Sequence, residues 1–402
     1  MKTAAGGIPR YRPRNRPGSG PALFSAGFRP FFLLAGLWAA IAVPLWLAVL
    51  AGRVVLPTAF DPVSWHGHEM LFGFAQAAVA GFLLTAVPNW TGRMPIQGWS
   101  LGALALLFVA GRIAVATSAE IAPVAAIIDL AFPLALLAAL AREIAAGRNW
   151  RNLPMLGALA VIGLANGLTH LEAIGWAATG QLGLRLGSAV ILLLIGLVGG
   201  RIIPSFTRNW LAKRGVATLP APAGRFDALA MAVTGAALAL WVAAPGAAAL
   251  APLMALAGVA NLARLARWQG HRTLAEPLVW VLHVGFLWLP IGFGLMALAA
   301  VVPAIAPSAA LHGLTGGAIA TMILAVSTRA TLGHTGRALR ADRRTTLIYV
   351  LVVVSAASRI AAGIFTGGYL PLLTLAGAAW FAAFALFLAV YGPLLLGPRP
   401  AN

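Results

Sequence analysis

Apolar residues fall into twelve long stretches, at 31–51, 68–88, 99–117, 123–141, 153–175, 182–204, 226–244, 248–268, 276–300, 310–330, 345–365 and 369–393. A helix that crosses a bilayer needs roughly 20 largely apolar residues. The pattern therefore predicts an all-α integral membrane protein with about twelve transmembrane helices. Polar residues gather in short connections that leave no room for a soluble domain. The division that follows is a basic tail at 1–30, a transmembrane domain at 31–393 and a short tail at 394–402. The basic, Pro-rich tail has no small-residue cleavage site, so the first stretch reads as a retained span and not as a signal peptide.

Composition supports this reading. The chain is 61% hydrophobic and 9% charged, which excludes an ordinary soluble enzyme. Its net charge of +19 would suit nucleic acid, but the distribution of charge argues against that partner. With the N-terminus placed in the cytoplasm, all but four of the 28 Lys and Arg residues fall at cytoplasmic ends or loops, the exceptions being Arg53, Arg112, Arg185 and Arg359. This is the positive-inside bias that orients membrane proteins. It predicts a multi-pass protein of the bacterial inner membrane with both termini cytoplasmic, and basic loops that favour anionic lipid. The lipid bilayer is the expected partner. The chain has no cysteine, so iron–sulfur clusters, thiolate-ligated haem and covalent haem attachment through Cys-x-x-Cys-His are excluded.

Histidine is where the polar residues begin to suggest chemistry. His66 and His68, in Trp65-His66-Gly67-His68-Glu69-Met70, open the second stretch, and His312 opens the tenth. His170 closes the fifth at the same, outer face. Imidazole is the usual protein ligand of haem iron and copper, so these residues are candidate metal ligands. His283 and His334 belong to the inner side, as a second haem site, a proton path or interfacial residues. His271 sits in a basic loop and reads as solvated.

An internal repeat links the second and tenth stretches. Gly73 follows His68 by five residues, and Gly317 follows His312 by five. Thr91-Gly92-Arg93 and Thr335-Gly336-Arg337 then end the two segments at the same offset. The sixth stretch carries a related end, Pro204-Ser205-Phe206-Thr207-Arg208. Spans 2, 6 and 10 are four helices apart, which suggests three four-helix units about a pseudo-threefold axis. The competing reading is that small residues and arginine recur at helix ends for packing and topology alone.

On a helix His66 and His68 lie about 200° apart. Either the first sits in an extended segment or the two serve different partners. One arrangement pairs His68 with His312 across a haem, with Gly73 and Gly317 clearing room for the ring. His66 and His170 then become copper ligands. Glu69 would orient an imidazole or carry protons, and Glu172 and Arg185 are further candidates for handling protons and charge. Arg185 is placed to meet a haem propionate or Glu69. Asn166 shares a helix face with His170. Asp129 and Arg112 are charges within the apolar layer, where charge is costly and usually functional.

The blocks Phe24-Ser25-Ala26-Gly27-Phe28-Arg29-Pro30-Phe31-Phe32, Trp65-His66-Gly67-His68-Glu69-Met70 with Gly81-Phe82-Leu83-Leu84-Thr85-Ala86, Gly200-Arg201-Ile202-Ile203-Pro204-Ser205-Phe206-Thr207 and Leu332-Gly333-His334-Thr335-Gly336-Arg337 resemble the NnrS family over essentially the whole chain after the basic tail. The resemblance implies an integral membrane protein that carries haem and copper and takes part in denitrification and in relief of nitric oxide and nitrosative stress. Twelve helices in three groups of four also resemble the catalytic subunit of haem–copper oxidases, although that superfamily's consecutive His-His pair is absent. The leading expectation is a haem b and copper protein acting on nitric oxide near the periplasmic face. An oxidoreductase of the nitric oxide reductase type would take electrons from an unidentified donor. The alternatives are a nitric oxide sensor or scavenger without turnover, and a proton-coupled metal or haem transporter.

Overall fold

The computed structural model describes residues 20–399, and among these it is helical with no strands. Eleven helices are long and apolar enough to cross a membrane. They are α1 (Phe28–Leu50), α2 (Pro62–Thr91), α3 (Trp99–Ala116), α4 (Ala122–Ala146), α5 (Trp150–Ile174), α6 (Leu182–Ala212), α7 (Arg225–Ala243), α9 (Pro277–Ala299), α10 (Pro307–His334), α11 (Arg343–Ala362) and α12 (Tyr369–Leu396). Between α7 and α9 lies α8 (Leu250–Ala266), an apolar helix of 17 residues. At 1.5 Å per residue it is about 25 Å long, at the short end of what spans a bilayer. Twelve helices thus stand where the twelve apolar stretches predict them. The tail before residue 20 lies outside the described residues.

Neighbours in sequence pack as neighbours in space, and α12 returns to pack on α1, so the helices close into a ring. Outward faces of α3, α4, α8 and α12 present Leu106, Ile127, Val259 and Leu370, the apolar surface that lipid covers. Helices α2, α6 and α10 turn inward. The upper part of α6 touches both α2 and α10.

These three helices share a further feature. Each is interrupted by a π-helical segment, Glu69–Ala75 in α2, Ile195–Gly199 in α6 and Gly313–Ile319 in α10. Those in α2 and α10 start one residue after His68 and His312 respectively. The two repeat copies therefore match in backbone geometry as well as in sequence. The Thr-Gly-Arg ends match too. Gly92 and Gly336 both take the left-handed conformation, at φ 70 and φ 76, which glycine adopts freely and which commonly terminates a helix. In each group of four helices the second one carries the π segment, as three related units require.

Most of the few acidic residues serve local structure. Asp61, Glu276 and Asp342 cap the starts of α2, α9 and α11, and Asp227 accepts from the Gly224 backbone N–H at the start of α7. Glu69 and Asp129 stand apart as the two most deeply buried acids, 0% and 2% exposed, both paired with Arg112 inside the bundle.

Candidate functional site

The start of α2 fixes the histidine geometry. Asp61 accepts hydrogen bonds from the backbone N–H groups of Val63 and Ser64, at 3.0 and 3.1 Å, and Pro62 follows it as the first helical residue. An Asp cap with proline at the first position is a strong helix start. The helix therefore begins before both histidines, and His66 and His68 point to different sides of it. Of the two arrangements open from sequence, the one with different partners is the one the structure adopts.

His68 is fully buried and belongs to a polar cluster drawn from four helices. Its Nδ1 lies 3.0 Å from Glu69 Oε1 and its Nε2 lies 2.8 Å from Asn166 Oδ1. Arg112 Nη1 donates to both Glu69 oxygens at 2.7 Å, and Arg112 Nη2 donates to Asp129 Oδ1. Asn166 Nδ2 donates to Asp129 Oδ2 at 2.9 Å, and His170 Nε2 meets the same oxygen at 3.0 Å. Because an ionised Asp129 can only accept, Asn166 must turn its Oδ1 to His68. His68 then faces an acceptor at each nitrogen, which suits a protonated ring when no metal is bound. With His68 protonated, two cations, His68 and Arg112, balance two anions, Glu69 and Asp129, and the cluster is neutral. That balance answers the cost of burying charge away from water. Phe60 covers the cluster, with its ring 4.8 Å from His68 and 5.3 Å from His170.

His66 belongs to a second group. Its ring stacks on Trp46 at 4.1 Å. On another side it runs nearly parallel to His312 of α10, at 12° and with ring centres 6.3 Å apart. His312 Nδ1 donates to the Ser308 carbonyl at 2.6 Å, which leaves Nε2 with its lone pair free, the usual state of a metal-ligating imidazole. Arg359 of α11 lies within electrostatic reach of both rings. Its Nε and Nη1 are buried without a hydrogen-bond partner, as are His66 Nδ1 and the indole N–H of Trp46.

The structure therefore exchanges the partners expected from sequence. His68 meets His170 and not His312, with ring centres 5.1 Å apart, and His66 meets His312 and not His170. The cause is the helical phase set at Asp61. Gly73 and Gly317 also differ from expectation. A Cβ on Gly73 would come within 2.5 Å of Trp38 Nε1, and one on Gly317 within 2.6 Å of Trp288 Cδ2. Each glycine makes room for an indole, and the two copies of the repeat do so alike. Arg185 does not reach Glu69. It donates to the Gly180 carbonyl at 2.5 Å, and Arg112 holds Glu69 in its place. Glu172 binds its own loop, accepting from Thr179 Oγ1 at 2.5 Å and from the Gln181 N–H. On the inner side, His283 Nε2 pairs with Thr207 Oγ1 at 2.8 Å and His334 packs on Phe28. These two histidines do not join the outer clusters. The sequence carries no signal for Trp46 and Phe60, because one aromatic residue among many does not reveal which ring it will face.

Both groups fit a metal. One nitrogen each from His68 and His170 and one Asp129 oxygen lie within 4.8 Å of one another. His66 and His312 stand nearly parallel with ring centres 6.3 Å apart, and each could offer a ring nitrogen to a bound metal. The orphaned Arg359 and Trp46 donors beside that pair suit a group that brings acceptor oxygens, as haem propionates do.

A search of curated proteins finds no match. A family model described as NnrS protein matches residues 22–399, nearly the whole described chain. Membership in that family fits a role in the response to nitric oxide. The buried histidine groups agree with its association with metal. The chain belongs to the NnrS family.

Proposed function

We propose that this protein binds haem through His66 and His312 and copper through His68, His170 and Asp129, and that it acts on nitric oxide at the outer end of the bundle. The observation that carries the reading is the near-parallel pair His66 and His312, bordered by the buried Nε and Nη1 of Arg359 and indole N–H of Trp46, which have no hydrogen-bond partner. Charge supports the copper assignment. A monovalent copper ion held by His68, His170 and Asp129 in place of a proton on His68 would keep the Glu69, Arg112, Asp129 and His68 cluster neutral.

Bound haem and copper would supply ligand binding and one-electron chemistry. The protein's own groups have separate tasks. Ser308 fixes the His312 tautomer. Trp46 fixes the plane of the His66 ring. Arg112 holds the Glu69 carboxylate against His68 Nδ1, so Glu69 takes or returns the proton there as the charge of the cluster changes. Reduction of two nitric oxide molecules to nitrous oxide and water consumes two electrons and two protons. Glu69 is the buried carboxylate placed to pass those protons, and a separate electron donor supplies the electrons. Nitric oxide is small, uncharged and soluble in lipid, so it reaches a site among helices without a water-filled pore.

The positive-inside bias of the basic loops supports a bacterial inner-membrane protein with both termini cytoplasmic and the histidine clusters periplasmic. A reporter fused after Asn402 should behave as cytoplasmic, and a periplasmic signal would reverse the assignment. The functional test is spectral. Adding nitric oxide to dithionite-reduced purified protein should shift the Soret band. An unchanged spectrum would remove nitric oxide as the ligand.

A further inference from the structure

A polar pocket of about 290 Å³ opens at the outer end of the bundle. The loop before α2 gives it Phe60 and Asp61, α2 gives Ser64, α5 gives Thr169 and Glu172, and Gln181 stands just before α6. Among the described residues no Lys, Arg or His lines it, in a chain whose Lys and Arg outnumber Asp and Glu by 28 to 9. Two carboxylates among neutral oxygen groups make a wall that holds water and favours a cation. Phe60 belongs to two surfaces. It lines this pocket, and its ring lies 4.8 Å from the ring of His68 and 5.3 Å from that of His170. Thr169 of the wall directly precedes His170. His68, His170 and Asp129 are 0%, 2% and 2% exposed, so an ion reaches them only when a covering side chain moves. Phe60 is the one placed to move, because it sits in the loop between α1 and α2 whereas the three candidate ligands sit on helices. The loop itself is tied down beside it. Thr58 Oγ1 donates to the Val115 carbonyl at 2.8 Å, and Ser118 Oγ accepts from the Ala59 N–H at 2.9 Å. The ring can therefore swing while loop and helices hold.

We propose that this pocket is the port through which a copper ion reaches the group of His68, His170 and Asp129, and that Phe60 is its door. The chemistry of the cargo demands such a port. Nitric oxide crosses lipid and slips between helices, but an ion pays heavily to enter an apolar layer and needs a polar approach. The pocket supplies one that ends at a single aromatic ring. Asp61 and Glu172 draw the hydrated cation in, and the oxygen groups of Ser64, Thr169 and Gln181 replace part of its water. With the ring swung aside, the imidazoles of His68 and His170 take the ion. With the ring closed, the bound ion is kept dry, and an apolar cover of this kind controls solvent access to a metal. The inference rests on the copper reading above, because without a metal at His68 and His170 the pocket has no ion to deliver.

The test offers cuprous ion alone to purified, copper-free, full-length protein and follows uptake in time. Phe60→Ala should take up and release copper several-fold faster than wild type, with the final copper content unchanged. Phe60→Trp, which fills more space, should slow both. Wild-type rates in both variants would overturn the proposal, and faster uptake in both would show a loosened fold and overturn it too. Glu172→Gln should slow uptake, as should added salt, which screens the attraction of the pocket for the ion. A second measurement needs no metal. Diethyl pyrocarbonate labels accessible imidazole nitrogen, and His170 should be labelled several-fold faster in Phe60→Ala than in wild type. Equal labelling would overturn the door, and faster labelling with unchanged copper uptake would overturn the port. If wild-type protein takes up no copper at all, the copper reading fails, and the labelling still decides whether Phe60 guards the cluster.

Discussion

Arg112 donates to both oxygens of Glu69 at 2.7 Å, with both side chains shut away from solvent. The pair joins α2 to α3, and through Asp129 and Asn166 it ties in α4 and α5. Removing one member of such a pair strands the other charge. Arg112→Leu should therefore destabilise the protein by about 3–5 kcal/mol, read from chemical unfolding in detergent. A loss below about 1 kcal/mol would mean that the cluster does not hold these helices together.

The paired glycines give a second test, with an internal control. Gly73→Ala and Gly317→Ala each press a methyl group into an indole, of Trp38 and Trp288, and should cost about 1–3 kcal/mol through overpacking. Gly316 meets nothing within 4 Å, so Gly316→Ala should be close to neutral. Equal effects at all three positions would contradict the packing described.

Asp61 makes stability depend on pH in a defined direction. Partial burial pushes its carboxyl up, but hydrogen bonds from Ser64 and Val63 outweigh this and hold it below the usual carboxylate range. A lowered folded-state value means that the cap's contribution is complete above the unfolded-state value and is lost as pH falls through the folded one. Asp61→Ala should cost about 0.5–2 kcal/mol near neutral pH. The difference from wild type should shrink in acid, as thermal unfolding across the acid range would show. A difference that grows in acid would contradict the cap.

Much of this arrangement is legible in the sequence. The twelve apolar stretches mark the helices, and the shared spacing from His68 to Gly73 and from His312 to Gly317 anticipates two matching helices. Asp61-Pro62 even carries the signal that α2 starts before His66, and with it the result that the two histidines diverge. What the sequence hides is lateral: which helix stands against which side of α2. That depends on the closure of the ring and on the π segments, which rotate everything beyond them relative to an ideal helix. The expected pairing of His68 with His312 fails for this reason. The glycines mislead for a related one, because a missing side chain records a close approach without saying whether a cofactor or an indole makes it.

The central claim is that His66 and His312 hold haem while His68 and His170 belong to a separate metal group. The most direct measurement is the visible spectrum and copper content of four single alanine variants, purified after normal membrane insertion. His66→Ala and His312→Ala should lose the Soret band. His68→Ala and His170→Ala should keep it and lose copper. A Soret band that survives in His66→Ala and disappears in His68→Ala would contradict the account and restore the pairing of His68 with His312.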